Sequence, residues 1–112
     1  MVYLSTFALA PLGTWTAYRE DNDTNLYQVP AGKTLTLVSG TLHANNATGY
    51  IYLKYDTSST GSAGTVIGYY DAGNSNGYTM PLYQNIPTGN YVKAQDNVTD
   101  VDVDFIGIEH DT

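Results

Sequence analysis

Apolar and polar side chains alternate along much of this chain, and this period of two constrains its fold more than any other feature. In the segment 50–56, Ile51, Leu53 and Tyr55 fall on one face, while other tyrosines and the charged residues fall on the opposite face. Successive side chains of a strand point to opposite faces of a sheet, so this pattern predicts a half-buried β-strand. Apolar residues never recur at helical spacing for more than one turn. The sequence therefore predicts an all-β fold.

Further segments show the same alternation and bring the predicted number of strands to about eight. In a chain of 112 residues that number fits one antiparallel β-sandwich, jelly-roll-like, with no room for a second core. We expect residues 16–112 to form this single domain, and residues 1–15 to form an extended N-terminal arm or an edge strand. The other predicted strands cover residues 14–18, 26–29, 34–44, 65–71, 78–83, 91–95 and the C-terminal segment.

The C-terminal segment is the clearest strand, and its pattern changes parity part-way along. Apolar residues alternate with aspartates up to Phe105, after which Ile106 and Ile108 take over the apolar positions. A change of parity requires one extra residue, so we predict a β-bulge near Phe105 and Ile106. A second bulge is predicted at Ser39 or Gly40, before Leu42.

Two proline-glycine turns resemble each other, Val-Pro-Ala-Gly at 29–32 and Ile-Pro-Thr-Gly at 86–89. Each is predicted to hold proline at its second position, and each directly precedes a strand. The similarity either marks two matching corners of a sandwich or arises by chance. The segments 57–64 and 72–77, which are rich in small polar residues, are predicted to be flexible hairpin tips.

Charge and composition exclude several classes of function. Eleven acidic and four basic residues give a formal net charge of −7, which repels nucleic acid and anionic membrane surfaces. The absence of cysteine removes disulfides, thiolate zinc sites and cysteine nucleophiles. No basic residue precedes Arg19, so we expect no signal peptide, and no segment is long enough to span a bilayer. The expected location of synthesis is the cytoplasm of a host cell.

The ionisable residues do not form a recognisable catalytic or metal site. His43 and His110 are far apart and lack the context of a catalytic triad. The sequence Asp21-Asn22-Asp23 lacks the glycine and the glutamate that complete a calcium-binding loop. We therefore predict no catalytic residues, no metal ion and no cofactor.

Three aspartates of the last strand, Asp100, Asp102 and Asp104, alternate with apolar residues and should share one face, roughly 7 Å apart. That spacing is too wide for two carboxyl groups to share a proton as an acid/base pair. The row is either a solvated outer strand or an acidic docking face for a basic surface or for cations.

Tyrosine is the strongest oddity of composition, with eleven tyrosines against two phenylalanines and one tryptophan. Tyrosine is favoured over phenylalanine where one end of the ring stays wet or hydrogen-bonded. Tyr50 and Tyr52 lie on the face opposite Ile51 and Leu53, so they should point outward. An outward aromatic row serves as a subunit contact, as a stacking platform for a sugar, or as ordinary cross-strand pairing, and all three explanations remain open.

The N-terminal segment is apolar and uncharged, so it must be covered by its own domain or by a neighbouring protein. We predict that it contributes to a protein interface together with the outward tyrosines. The predicted interface residues are Val2, Tyr3, Leu4, Phe7, Leu9, Leu12, Trp15, Tyr50 and Tyr52.

Three segments of the chain form a recognisable set: residues 29–46, with Val-Pro-Ala-Gly-Lys-Thr-Leu and an asparagine-rich turn, the turn at 86–89, and the closing Val-Asp-Val-Asp-Phe-Ile-Gly-Ile-Glu. Together they resemble small jelly-roll virion proteins of tailed bacteriophages. Capsid decoration (cement) proteins are the nearest fit. The resemblance implies a non-enzymatic homotrimer on the capsid surface that binds the major capsid protein and copies of itself and stabilises the shell. The alternative is a carbohydrate- or receptor-binding module of a phage tail or fibre, with Trp15, Tyr50, Tyr52 and Tyr69 as stacking platforms.

Overall fold

The protein is an all-β sandwich of two antiparallel sheets, which confirms the predicted fold class. The computed structural model describes residues 1–5, 14–20, 25–44, 50–71, 78–96 and 101–112. Within these residues the strands are β1 (Val2–Ser5), β2 (Thr16–Ala17), β3 (Arg19–Glu20), β4 (Lys33–Ala44), β5 (Tyr50–Asp56), β6 (Thr65–Asp71), β7 (Tyr78–Ile86), β8 (Tyr91–Asp96) and β9 (Val101–Asp111). None of these residues forms a helix that could cross a membrane.

The strands are wound in the nested order of a jelly roll. One sheet has the order β3-β1-β9-β4-β7 and the other has the order β2-β8-β5-β6. The antiparallel pairs β1 with β9, β2 with β8, β4 with β7 and β5 with β6 therefore enclose one another along the chain. Successive pairs alternate between the two sheets, which is the arrangement of a double-sheet jelly roll. The two-residue β3 is a short edge strand of the five-stranded sheet.

Alternating side chains of both sheets meet in one core, as the period of two predicts. Tyr18 and Phe105 pack edge to face at its centre, with their ring centroids 5.2 Å apart. Burial of apolar surface of this kind contributes roughly 25 cal/mol for each Å² removed from water. The core cluster comprises Val2, Leu4, Tyr18, Tyr27, Val29, Leu35, Leu37, Ile51, Leu53, Ile86, Val92, Ala94, Val103 and Phe105.

Of the two predicted bulges, the one in the last strand is wrong. The irregularity lies in its neighbour β4, beside the second predicted position at Ser39 or Gly40. The register of β4 shifts between Leu37 and Ser39 against both β7 and β9. β9 keeps its parity, so Phe105 is buried whereas Ile108 is 45% exposed on the outer face. The inward position after Phe105 is Gly107, where an added Cβ would lie 2.7 Å from the Leu35 side chain. The close approach of β4 thus favours glycine at this inward position. Because glycine is not an apolar side chain, the alternation of apolar residues in the sequence does not mark position 107 as inward.

The first residues are a core strand, which corrects the prediction that Val2 and Leu4 contact a partner. β1 lies between β3 and β9 and pairs Leu4 with Phe105. Both Val2 and Leu4 are buried in the core cluster, so a partner cannot reach their side chains. Tyr3, between them, is 49% exposed on the outer face. The predicted interface residues Phe7, Leu9 and Leu12 lie outside the described residues.

The two similar turns lie side by side at one end of the sandwich. The Val29 amide donates to the Asn90 carbonyl at 3.0 Å, and the Gly89 amide donates to the Val29 carbonyl at 2.9 Å. In the first turn the Lys33 amide bonds to the Pro30 carbonyl at 3.1 Å, so proline takes the first position and not the predicted second one. The glycine then takes the third position, where the backbone is left-handed.

Substituting either turn glycine with alanine is expected to destabilise the fold moderately. Gly32 has φ 75° and Gly89 has φ 81°, and an added Cβ would meet no atom within 4 Å at either position. The cost is therefore conformational, and we expect about 1 kcal/mol for each of Gly32→Ala and Gly89→Ala in chemical denaturation. Ala31→Ser, at an exposed position of the first turn, serves as the control. Unchanged stability in both glycine variants would contradict the assigned turn geometry.

Candidate functional site

The outer face of the four-stranded sheet carries a group of aromatic side chains. In β5, Ile51 and Leu53 are buried in the core, so alternation turns Tyr50 and Tyr52 to the opposite face. Tyr69 of β6 lies in register beside Tyr52 and is 52% exposed. The sequence-based prediction that Tyr50 and Tyr52 point outward is therefore in accord with the burial of their neighbours.

These rings touch one another in a continuous row that we call the aromatic surface, formed by Trp15, Tyr50, Tyr52 and Tyr69. The Trp15 and Tyr52 centroids are 5.7 Å apart, edge to face. Tyr52 meets Tyr69 at 5.7 Å, also edge to face, and Tyr69 stacks on Tyr50 at 4.9 Å. Distances and angles of this kind are the favourable ones for aromatic pairs. The ring contacts thus hold the row in one arrangement before any ligand binds.

One end of the aromatic surface carries a positive charge. The Lys54 ammonium lies 5.1 Å from the Trp15 ring centroid and 5.5 Å from that of Tyr52. Both distances are within the range of cation–π attraction. The same nitrogen donates a hydrogen bond to the Ser62 carbonyl at 2.6 Å. Lys54 therefore connects the aromatic surface to the neighbouring loop 57–64.

That loop is anchored by a second lysine, Lys93 of β8, whose side chain is fully buried. Its ammonium donates to the Gly61 carbonyl at 3.0 Å and to the Ala63 carbonyl at 2.8 Å, with Thr60 more distant at 3.4 Å. The Asp56 carboxylate lies 3.5 Å away and balances the charge. The loop predicted to be a flexible hairpin tip is thus folded over the sheet and pinned to it.

The role of Lys93 has no signal in the sequence. Its neighbours Val92 and Ala94 are buried apolar residues, so alternation places Lys93 on the outer face, where a lysine is ordinarily solvated. Whether such a lysine is exposed or covered depends on where the loop 57–64 folds. Local pattern carries no information about that.

The predicted interface residues are divided between different parts of the molecule. Trp15, Tyr50 and Tyr52 come together in the aromatic surface. Tyr3 is on the outer face of the other sheet, in register with Ile106. No single surface therefore contains all the exposed members of the predicted set.

The predicted acidic docking face is represented by one described side chain, Asp104. It is half-buried in β9, in register with Thr41 of β4. With Ser5 and Tyr3 these residues line an open cavity of about 250 Å³ on the outer side of the five-stranded sheet. Asp100 and the side chain of Asp102 lie outside the described part of the chain. Among the residues that the structure does describe, no three acidic or histidine side chains converge as metal ligands.

A buried phenol and a carboxylate form the tightest polar pair near the core. The Tyr27 hydroxyl donates to Glu109 Oε2 at 2.5 Å. Burial raises the pKa of Tyr27 above its ordinary value, and the hydrogen bond and negative charge of Glu109 raise it further. The phenol therefore stays protonated at neutral pH, and the pair joins β9 to the segment before β4.

The chain matches no known protein family, no curated protein and no solved structure.

Proposed function

We propose that this chain is a non-enzymatic structural protein of a bacteriophage particle, which decorates and stabilises the capsid by binding protein neighbours. The observation that carries the proposal is the unbroken row of ring contacts from Trp15 to Tyr50 on a solvent-facing sheet. The jelly roll is compatible with this role, since viral capsid proteins often use it. A fold alone does not specify a function, so the aromatic surface is the stronger support for this role.

The aromatic surface has the properties of a protein contact. Tyrosine and tryptophan are enriched at the centres of protein interfaces, where they supply large contact areas and frequently dominate the binding energy. The contacts of Tyr52 with Trp15 and Tyr69 fix the rings in advance, which lowers the entropy lost on binding. The proposed partner is the major capsid protein, and the proposed location is the outer surface of the capsid.

The proposal predicts that removing rings from the aromatic surface weakens binding to capsids. We expect the double variant Tyr50→Ser/Tyr69→Ser to bind at least about tenfold more weakly, because truncation of central aromatic residues commonly costs more than 1 kcal/mol each. The measurement is cosedimentation with shells of the phage that encodes the chain, assembled without it. Leu26→Ser, which removes a 41% exposed side chain elsewhere, is the matched control. Absence of wild-type binding, or equal binding by all three proteins, would refute the proposal.

Carbohydrate binding is the second candidate function, favoured by the accessible Tyr69 ring and by the Lys54 ammonium over Trp15 at the opposite end of the row. Aromatic faces with nearby hydrogen-bonding groups bind ligands that have both apolar and hydroxyl-bearing surfaces. A glycan array separates the two functions. Binding of a defined glycan that disappears in Tyr69→Ser, with no binding to capsids, would establish this alternative.

A further inference from the structure

One end of the aromatic surface carries a lysine whose charge the folded chain does not balance. Of the three lysines in the sequence, Lys33 pairs with the Asp111 carboxylate at 2.6 Å, and the Lys93 ammonium lies 3.5 Å from that of Asp56. Lys54 forms no ion pair with any residue that the structure describes. Its charge is therefore available to a ligand from outside the chain.

Lys54 also keeps unused hydrogen-bond donors. An ammonium carries three N–H groups, and the Ser62 carbonyl accepts one of them at 2.6 Å. The Trp15 and Tyr52 rings, with centroids 5.1 and 5.5 Å away, attract the charge through their π faces. In the described part of the chain, no second oxygen accepts a hydrogen bond from this nitrogen. Solvent or a ligand must therefore supply the remaining acceptor.

The ammonium is held in place before any ligand arrives. A surface lysine ordinarily samples many rotamers, and fixing them costs up to about 2 kcal/mol. The nitrogen of Lys54 is held by the Ser62 carbonyl and by two rings, and the loop 57–64 that carries Ser62 is itself bonded to buried Lys93. Most of the entropy cost of ordering Lys54 is thus incurred on folding, so less of it opposes binding.

The neighbouring rings narrow the kind of anion that this lysine suits. Trp15 and Tyr52 place apolar ring surface beside the charge, and Tyr69 extends that surface with a 52% exposed ring. A carboxylate attached to an apolar group contacts both the ammonium and the rings, whereas a hydrated inorganic anion uses only the ammonium. Lys54 and Tyr52 are two residues apart on β5, so their Cα atoms are about 7 Å apart along one face. An extended segment with an acidic and an apolar residue two positions apart matches that spacing.

We propose that Lys54 recognises a carboxylate of the protein partner, an aspartate or glutamate side chain followed or preceded two positions away by an apolar side chain that packs on Tyr52 and Tyr69. The inference rests on the proposed function for the identity of the partner, the major capsid protein. It adds that charge directs the contact at one end of the aromatic surface. Because the chain as a whole has a net charge of −7 and repels acidic surfaces at long range, the pairing involves a single carboxylate at short range.

The first test measures the chemistry of the site without a capsid. Trp15 is the only tryptophan of the chain, so its fluorescence reports ligands that bind beside Lys54. The probes are 3-phenylpropionate and its uncharged amide, which differ in charge and hardly in shape. We expect the acid to bind in the millimolar range and at least about threefold more tightly than the amide. Lys54→Met should remove this preference, whereas Lys33→Met, the same substitution at a lysine already paired with Asp111, should retain it.

The second test is cosedimentation with capsids of the phage that encodes the chain, assembled without it. We expect Lys54→Met to bind at least about tenfold more weakly than the wild type, because the substitution leaves the partner's carboxylate covered and unpaired. Lys33→Met changes the net charge of the chain by the same amount and should bind as the wild type does. Thermal unfolding verifies that both variants are folded.

The two tests separate failure of this inference from failure of the proposed function. Equal binding of the acid and the amide, or a preference that survives Lys54→Met, would overturn the carboxylate site. Wild-type binding to capsids that Lys54→Met leaves unchanged would overturn its role in the partner contact and leave the proposed function intact. Absence of wild-type binding to capsids would refute the proposed function and the assigned partner, whatever the fluorescence shows. Acidic glycans that bind the wild type and not Lys54→Met would assign the carboxylate to a sugar and overturn the protein partner.

Discussion

Lys93→Met is expected to lower the free energy of unfolding by about 3 kcal/mol. The substitution removes an ammonium that bonds to the Gly61 and Ala63 carbonyls and lies 3.5 Å from Asp56. Removing one member of a buried polar network leaves its partners without a hydrogen-bond donor or an opposite charge, which typically costs several kcal/mol of stability. Methionine retains the apolar length of the side chain, so the measured loss reports the ammonium. The thermal midpoint should fall by roughly 12 °C in a domain of this size.

Lys54→Met is the matched control, because Lys54 anchors the same loop through a single carbonyl, that of Ser62. It is half-buried rather than fully buried, and water can replace its hydrogen bond. We expect a loss below about 1 kcal/mol. Equal losses in Lys54→Met and Lys93→Met, or no loss in either, would show that burial of Lys93 does not hold the loop.

Phe105→Ala is expected to cost about 4 kcal/mol, the largest effect of an apolar substitution considered for this chain. Phe105 is 1% exposed and packs against Tyr18 in the centre of the core. Truncating such a side chain loses its transfer free energy and leaves a cavity. Chemical denaturation of the purified variant measures the loss directly.

Ile106→Ala and Ile108→Ala show whether β9 keeps its parity past Phe105. Both isoleucines face outward, Ile106 half-buried and Ile108 45% exposed, so we expect losses of about 1 kcal/mol or less. A bulge at Phe105 and Ile106 would instead turn both toward the core, where each substitution costs about 2 kcal/mol or more. Two large losses would therefore contradict the register of β9.

Most strands follow from local pattern, and the exceptions have identifiable causes. β5 and β6 match their predicted bounds, because the segments 57–64 and 72–77, rich in small polar residues, mark where they end. The segment 26–29 forms only an isolated bridge between Leu26 and Arg19, although Tyr27 and Val29 are buried as predicted strand residues would be. Its backbone bonds go to Tyr18 and Asn90, which local sequence cannot identify as neighbours.

The candidate site was predictable in its members and not in its assembly. Alternation alone places Tyr50 and Tyr52 outward, and composition marks the tyrosines as unusual. The contact of Trp15 with Tyr52 requires β2 and β5 to lie in one sheet, with β8 between them. That order arises from the nested winding of the chain, so no window of the sequence contains it.

The sequence by itself determined that this protein is an all-β sandwich and that Ile51 and Leu53 of β5 enter its core. Those properties depend on the alternation of neighbouring residues, a short-range geometric rule. The tertiary structure alone decided that Val2 and Leu4 are core residues, that β9 keeps its parity past Phe105, and that Lys93 is covered by the loop 57–64. These outcomes depend on which distant strands and loops become neighbours, because burial and register are set by the element packed against a residue.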